Sequence, residues 1–516
     1  MSSAPATIRT PLAAGRLRTD SLSASMAMLL GLTVVQRLVG FLRGILFCRW
    51  LDAEQLGQWD MAYGFLMLGA PLAVLGLPGS LGRYVEHYRA KAQLRPFLRR
   101  MLACTLVLAG LAMTIVACGR SWIGELIFGD AGCGNMVVLL AAVLGVVVFD
   151  NFFTSLYTAL RQVKFVSLTQ FTNSMVFALL GVGLVLMWSR TSEAVVLAFC
   201  GACVATTAVS LARLGWLWTS LPSDGEALSH RSLWVKLAPF ALWLWLTNWL
   251  ANLSAIADRL MIIHWSGLSA DGALNMVGQY HTARLFPLLM VGVAELLGAI
   301  VTPHLSCDWE RGRRDLVSQR LVLMLKSFGL MLSAGAALIL IAAPILFDLV
   351  WQERFADGLR VLPWALACAV WTGMSLLSNT YLWCAEKSRY VCLTLAVALA
   401  LNLGLSYLWL PSMGLLGAAL AAAVARLAAL ALLWWLTWRL GLQLDRGVLA
   451  VAVLPALLGF GPWIALAGLA VVLMGLVPGV RCFNDEERQR LLSEASLAWG
   501  KCRRFFHGRR VLGLRP

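Results

Sequence analysis

The sequence predicts an all-α polytopic membrane protein with about 14 transmembrane helices. They form two parallel six-helix lobes around a central cavity, followed by a C-terminal helical hairpin. Three observations predict this: the composition, the succession of apolar runs, and the distribution of positive charge. Of 516 residues, 60% are apolar and 13% charged, where a soluble protein has about 45–50% and about 25%. Mean hydropathy is +0.78. Such a chain is not a soluble globular enzyme, a disordered scaffold or a disulfide-rich secreted module. The net charge of +16 marks cytoplasmic loops and sometimes an anionic substrate; it does not require nucleic acid.

Apolar runs of spanning length lie near residues 22–49, 57–82, 101–119, 135–160, 166–189 and 193–215. After a polar break come 234–263, 275–302, 317–342, 359–383, 390–410 and 412–438. The last apolar stretch, 447–480, has Gly459, Gly461 and Pro462 near its middle, so it is one overlong helix or a hairpin of two. Charge selects the hairpin. With a cytoplasmic N-terminus and alternating spans, 31 basic residues fall inside and 5 outside, with six in the spans. The nine basic residues after 480 lie inside only if the last stretch crosses twice. Both termini are then cytoplasmic. The expected organisation is a tail at 1–21, an N-lobe at 22–220, a linker at 221–233, a C-lobe at 234–440, the hairpin at 447–480 and a basic tail at 481–516.

The ends carry their own signals. Arg9, Arg16 and Arg18 make a polar start with no cleavable signal peptide. Asn484 to Arg510, acidic at its start and basic at its end, reads as a short surface helix. The twelve cysteines are scattered, and the close pair Cys200 and Cys203 reads as packing within a span. The six histidines show no ligand spacing. No metal and no cofactor are therefore expected. No Gly-rich phosphate loop appears, so there is no built-in ATPase. No Asp-x-Asp stands on a cytoplasmic loop and no long outer loop offers a catalytic site, which disfavours a membrane-embedded glycosyltransferase.

An internal repeat supports the two lobes. The decapeptide LGQWDMAYGF at 56–65 matches VGQYHTARLF at 277–286, with four identical positions and an offset of 221 residues. That offset spans six crossings. Six is even, so both halves enter the membrane in the same direction, which makes a parallel repeat. The joint is 216–233, with Pro222, Ser223, Asp224 and Gly225.

Charges inside the predicted spans are the candidate site. Arg37, Arg43, Arg259, Arg284, Lys326 and Arg426 are there, with Asp150, Asp258 and Glu295. A basic residue at a helix centre costs about 2.5–3.5 kcal/mol, so six cost on the order of 15–20 kcal/mol in lipid. That exceeds a typical fold's net stability. These side chains face water, one another or a ligand. Lys326 lies two turns from the cytoplasmic end and can snorkel. Arg426 sits among alanines, where it pairs with a carboxylate or serves a ligand. Asp258 and Arg259 are either an interfacial ion pair or a ligand contact. Arg37, Arg43 and Arg284 are the best candidates for substrate binding, with Arg259 and Asp258 beside them. Asp150, Glu295 and Arg426 remain for ion or pairing roles. Guanidinium groups bind phosphate bidentately and stay charged, so an arginine-lined cavity suits an anionic head group such as a diphosphate. A cation carrier would want carboxylates instead. Trp243, Trp245 and Trp249 can stack on sugar rings or pack against lipid.

VVQRLVGFLRGILFCRWLDAEQLGQWDMAYGF at 34–65 resembles the opening of polysaccharide transporters, the oligosaccharide-lipid flippases. These belong to the multidrug/oligosaccharidyl-lipid/polysaccharide exporter superfamily. Arg37, Gly40, Phe41 and Arg43 also resemble the first helix of lipid II flippases. LGLPGSLGRYVEHYRAK at 75–91, ILFDLVWQERFADGLRVLPWAL at 345–366, Asn379 with Ala385–Lys387, and LNLGLSYLWLPSMGLLGAALAAAVARL at 401–427 follow the polysaccharide transporter pattern in order. The resemblance implies two rocking lobes around a V-shaped cavity. It implies a polyprenyl-diphosphate-linked oligosaccharide as substrate, flipped to the outer leaflet of a bacterial inner membrane for surface polysaccharide biosynthesis. By position, Arg37 and Arg43 match the first-helix arginines of the lipid II branch. The departure after span one argues against peptidoglycan precursor. The expected partners are the lipid-linked oligosaccharide, membrane lipids and polysaccharide-assembly proteins, with a monomer as the transporting unit. The alternatives are a cation-coupled multidrug exporter of the same superfamily and a sugar-transfer enzyme; the leading reading is not an enzyme.

Overall fold

The computed structural model describes residues 22–223, 230–351, 354–474 and 482–483. The expected N-terminal tail, most of the linker, the end of the hairpin and the surface helix in the basic tail lie outside the described residues.

The described chain forms sixteen α-helices and, among the described residues, no strand. The twelve spans predicted before the hairpin each fall on helix. Helices α1 (Leu22–Trp50), α4 (Leu94–Cys118), α6 (Gly134–Ala159), α7 (Val163–Met187) and α8 (Ser192–Trp218) fall in the first half. Helices α9 (His230–Trp265), α10 (Ala270–Glu310), α11 (Arg314–Trp351), α12 (Ala356–Cys384), α13 (Ser388–Met413) and α14 (Leu415–Arg439) follow. Leucine, alanine and methionine sustain these helices. A short helix, α5 (Arg120–Phe128), follows α4. Val107, Leu111 and Ile115, spaced at i, i+4 and i+8 on α4, are 68%, 55% and 59% exposed. An apolar stripe so placed belongs against lipid.

The second predicted span is broken. It becomes α2 (Ala53–Ala73) and α3 (Leu77–Ala90), bent by 46°. Leu75 and Gly76 adopt positive φ, and Pro78 sits in the first turn of α3, starting a new helix instead of continuing the old one. Leu77, Leu81, Val85 and Tyr88 then form the buried face of α3, with Tyr88 stacked 4.5 Å from Phe97.

Among the described residues, ten helices are long and apolar enough to cross a membrane, eleven if the bent pair is one span. The described residues thus account for ten or eleven of the expected fourteen. Helix α9, at 36 residues, also has the length to cross, but several of its side chains lie outside the described set. The expected C-terminal hairpin consists of α15 (Arg446–Val453), a 3-10 segment at Leu454–Phe460 and α16 (Pro462–Leu473). The chain turns at Gly461, and Gly468 packs against Leu457 and Leu454. Over the described residues, each arm is shorter than a spanning helix.

Two compact units are distinguished. One runs to Leu285 and takes in Ile345–Val361 and Leu395–Ala425; the other comprises Phe286–Pro344, Leu362–Thr394 and the described chain from Arg426 onward. In the second unit, Lys326 does not snorkel. It is fully buried and its ammonium pairs with Asp445, whose carboxylate also accepts the Val448 N–H at 3.0 Å as the N-cap of α15. Trp371 donates to the Ala452 carbonyl at 2.8 Å beside this joint. Asp445→Ala is expected to lower the stability of the purified protein more than Lys326→Met does. The former strands a buried ammonium, worth about 3–5 kcal/mol, and removes a cap worth about 1 kcal/mol. The latter leaves the cap in place. Thermal unfolding of the two variants checks this order.

Candidate functional site

The first unit holds a charged cluster built on three helices. Helix α2 presents Gly57, Asp60 and Gly64 along one face, at i, i+3 and i+7. Asp60 is 5% exposed and its Oδ1 lies 3.0 Å from Arg259 Nη1 on α9 and 3.0 Å from His281 Nδ1 on α10. Arg284, one turn further along α10, brings Nη1 to 3.9 Å from Asp60 Oδ2. Arg259 also donates from Nη1 to the Asp60 backbone carbonyl at 3.1 Å and from Nη2 to the Ala255 carbonyl. Its own exposure is 5%. Gly64 makes room for it: a Cβ there would lie 3.3 Å from Arg259 Nη1 and 2.7 Å from Ile256. Two buried atoms of the cluster accept or donate no hydrogen bond, Asp60 Oδ2 and Arg259 Nε.

The helices carrying this cluster cross with near-perfect internal symmetry. A Cβ on Gly57 would lie 1.9 Å from the Leu274 carbonyl oxygen, and a Cβ on Gly278 would lie 1.8 Å from the Ala53 carbonyl oxygen. Ala53 and Gly57 stand at the same offset, 221 residues, from Leu274 and Gly278. Asp60 and His281 are related by that offset too, so the bonded pair is one repeat position meeting its own copy.

The sequence-derived candidates divide. Arg259 and Arg284 enter the cluster. Asp258 and Arg259 do not pair as an isolated couple. Successive helical residues point about 100° apart, so Asp258 turns away and accepts from Tyr280 at 2.9 Å and from Asn402. Arg43 is half-buried with its guanidinium 3.8 Å above the Phe177 ring. Phe177 belongs to an aromatic group with Trp59, Tyr63 and Phe199, at ring separations of 5.3–5.6 Å between Phe177 and Trp59 or Phe199. Tyr63 is within electrostatic reach of Arg43, Arg259 and Asp60, which links Arg43 to the cluster. Arg37 is exposed on α1. Asp150 accepts from Thr206 at 2.6 Å, and Asn173 donates to the same hydroxyl at 3.3 Å. Glu295 is exposed on α10 and Arg426 is half-buried on α14. Trp245 and Trp249 stack at 6.2 Å; the Trp243 side chain lies outside the described set. No group of three or more metal-ligating side chains occurs among the described residues.

Asp60 and His281 were missed as site residues. Asp60 lies near the predicted start of span two, and both stand in the fifth column of the repeated decapeptide. That shared column was the available signal.

Comparison with solved structures finds the same architecture in a lipid II flippase, MurJ, in an inward closed conformation. The TM-score is 0.63 at 11% identity, over 87% of this chain and 100% of that one. An inward-facing multidrug resistance MATE family transporter of the MOP superfamily gives 0.63 at 15% identity, over 83% of this chain and 98% of that one. No curated protein sequence matches the chain. This chain therefore shares the all-helical, multi-span fold of these two solved transporters. Residues 22–302 match the polysaccharide biosynthesis protein family, and the chain belongs to it.

Proposed function

We propose that the protein flips a polyprenyl-diphosphate-linked oligosaccharide from the cytoplasmic to the outer leaflet of a bacterial inner membrane, for surface polysaccharide biosynthesis. The observation that carries the reading is the gathering of guanidinium groups at one place: Arg259 and Arg284 both approach the buried carboxylate of Asp60. Arg284 is only half-buried, so solvent reaches part of its side chain. Two six-helix repeats, 22–220 and 234–440, rock about this region with both termini cytoplasmic. The diphosphate is held by Arg284, Arg259, Arg43 and Arg37 while the sugar crosses in water and the prenyl chain stays in lipid. The protein works as a monomer, beside polysaccharide-assembly proteins. Family membership and the fold shared with a lipid II flippase support this reading.

In cells depleted of the protein, lipid-linked saccharide is expected to accumulate on the inner leaflet, shielded from a membrane-impermeant lectin, with loss of surface glycan. Arg37→Ala and Arg284→Ala are each expected to abolish export with normal insertion. Wild-type export in both variants removes these arginines from the substrate site.

One observation favours cation-coupled multidrug export instead: Asp150 lies inside a span with hydroxyl and amide neighbours, a setting suited to a cation. That reading predicts ion-dependent efflux, sensitivity to Asp150→Asn and tolerance of Arg37→Ala. An unchanged lipid-linked saccharide pool on depletion would favour it.

A further inference from the structure

We propose that Asp60 is a built-in stand-in for the substrate's phosphate, and that the incoming diphosphate takes its place on the arginines and thereby loosens the crossing of α2 and α10. This rests on the flippase reading, which supplies the diphosphate. The carboxylate is divided unevenly. Oδ1 is bound twice, by Arg259 and His281 at 3.0 Å each, while Oδ2 is buried without a hydrogen bond, 3.9 Å from Arg284. Arg259 Nε is likewise buried with no acceptor. The Asp60–Arg259 pair thus leaves bonding capacity unused on both sides, at Oδ2 and at Nε. A phosphate group offers more acceptor oxygens and more charge than a carboxylate and engages guanidinium bidentately. Arriving at Arg284, it satisfies these donors better and repels the Asp60 carboxylate.

The consequence for the helices follows from position. Asp60 lies one turn after Gly57, and His281 one turn after Gly278, the two glycines at which the backbones touch. The Asp60–His281 bond therefore ties the crossing at its next turn. Displacing Asp60 from the cluster removes that tie, so the same event that binds the anion frees the helix pair. With the site empty, Asp60 neutralises the arginines and holds the crossing shut. The trigger is built from one repeat position and its copy.

The test uses the purified full-length protein and inorganic pyrophosphate as the probe. Hydrogen exchange is read at the amides of 53–60 and 274–281, and affinity by calorimetry. Pyrophosphate is expected to speed exchange in both segments by about tenfold or more. Asp60→Asn is expected to exchange fast without ligand and to bind pyrophosphate at least about fivefold more tightly. Should Asp60→Asn fail to insert, the wild-type exchange response decides. Binding that depends on Arg284 but leaves exchange in both segments unchanged overturns the proposal and leaves the flippase reading standing. Absence of pyrophosphate binding to the wild type overturns both.

Discussion

Replacing Asp60 with alanine is expected to destabilise the protein by about 3–5 kcal/mol, and Arg259→Ala by a similar amount. The side chains are 7% and 6% exposed and 3.0 Å apart, so each deletion removes the nearest counter-charge from a buried group. The loss is larger for Asp60→Ala, because that carboxylate also engages His281 and stands nearest Arg284. The apolar pair Asp60→Leu with Arg259→Met should recover much of the stability, because it removes both desolvation costs together. It should not recover export. Chemical unfolding in detergent, arranged as a double-mutant cycle, measures the coupling, expected at about 2–3 kcal/mol. Two single variants each below about 1 kcal/mol and additive would mean that water reaches the pair, as at an exposed ion pair.

The separation of stability from transport in that cycle bears on why the pair exists. A lipid-facing or packing position would be served better by apolar residues. A buried ion pair that costs stability and sits beside a partly buried arginine is explained by a need for charge at that place.

Much of the fold was legible in the sequence because membrane helices are specified locally. A run of about 20 apolar residues announces itself, and the ends of α1, α6 and α13 fall within a few residues of the predicted spans. The break after Ala73 was less legible: the segment is apolar throughout, and only Leu75–Pro78 carries the interruption. The candidate site was half legible. An intramembrane arginine is conspicuous by cost alone, which picked out Arg259 and Arg284. Its partner is not, since Asp60 lies 199 and 224 positions away from them. Pairings over such distances are set by helix packing, which no local rule reads. Lys326 shows the same limit. Its position near a helix end suggested snorkelling, whereas its partner Asp445 comes from a turn 119 residues later. The repeat was the one long-range signal present, and it aligned Asp60 with His281 correctly.

The repeat also makes a paired prediction. Gly57→Ala and Gly278→Ala are each expected to cost about 3 kcal/mol or more, at or beyond the upper end of ordinary overpacking. The new methyl would lie 1.9 Å or 1.8 Å from a backbone carbonyl oxygen, and no rotamer change can move it aside. The helices must separate, which pulls Asp60 from His281 one turn away, so export should fall further than stability alone explains. Gly183→Ala on α7 and Gly404→Ala on α13 meet nothing within 4 Å. There the gain in helix propensity should stabilise by up to about 1 kcal/mol. The two crossing variants should match one another within about 0.5 kcal/mol, because each places the same group against the equivalent carbonyl of the other repeat. Unfolding and export measured on all four variants decide the matter. If one crossing glycine tolerates alanine while its counterpart does not, α2 and α10 do not meet as equivalent halves. The pairing of Asp60 with His281 would then owe nothing to the repeat.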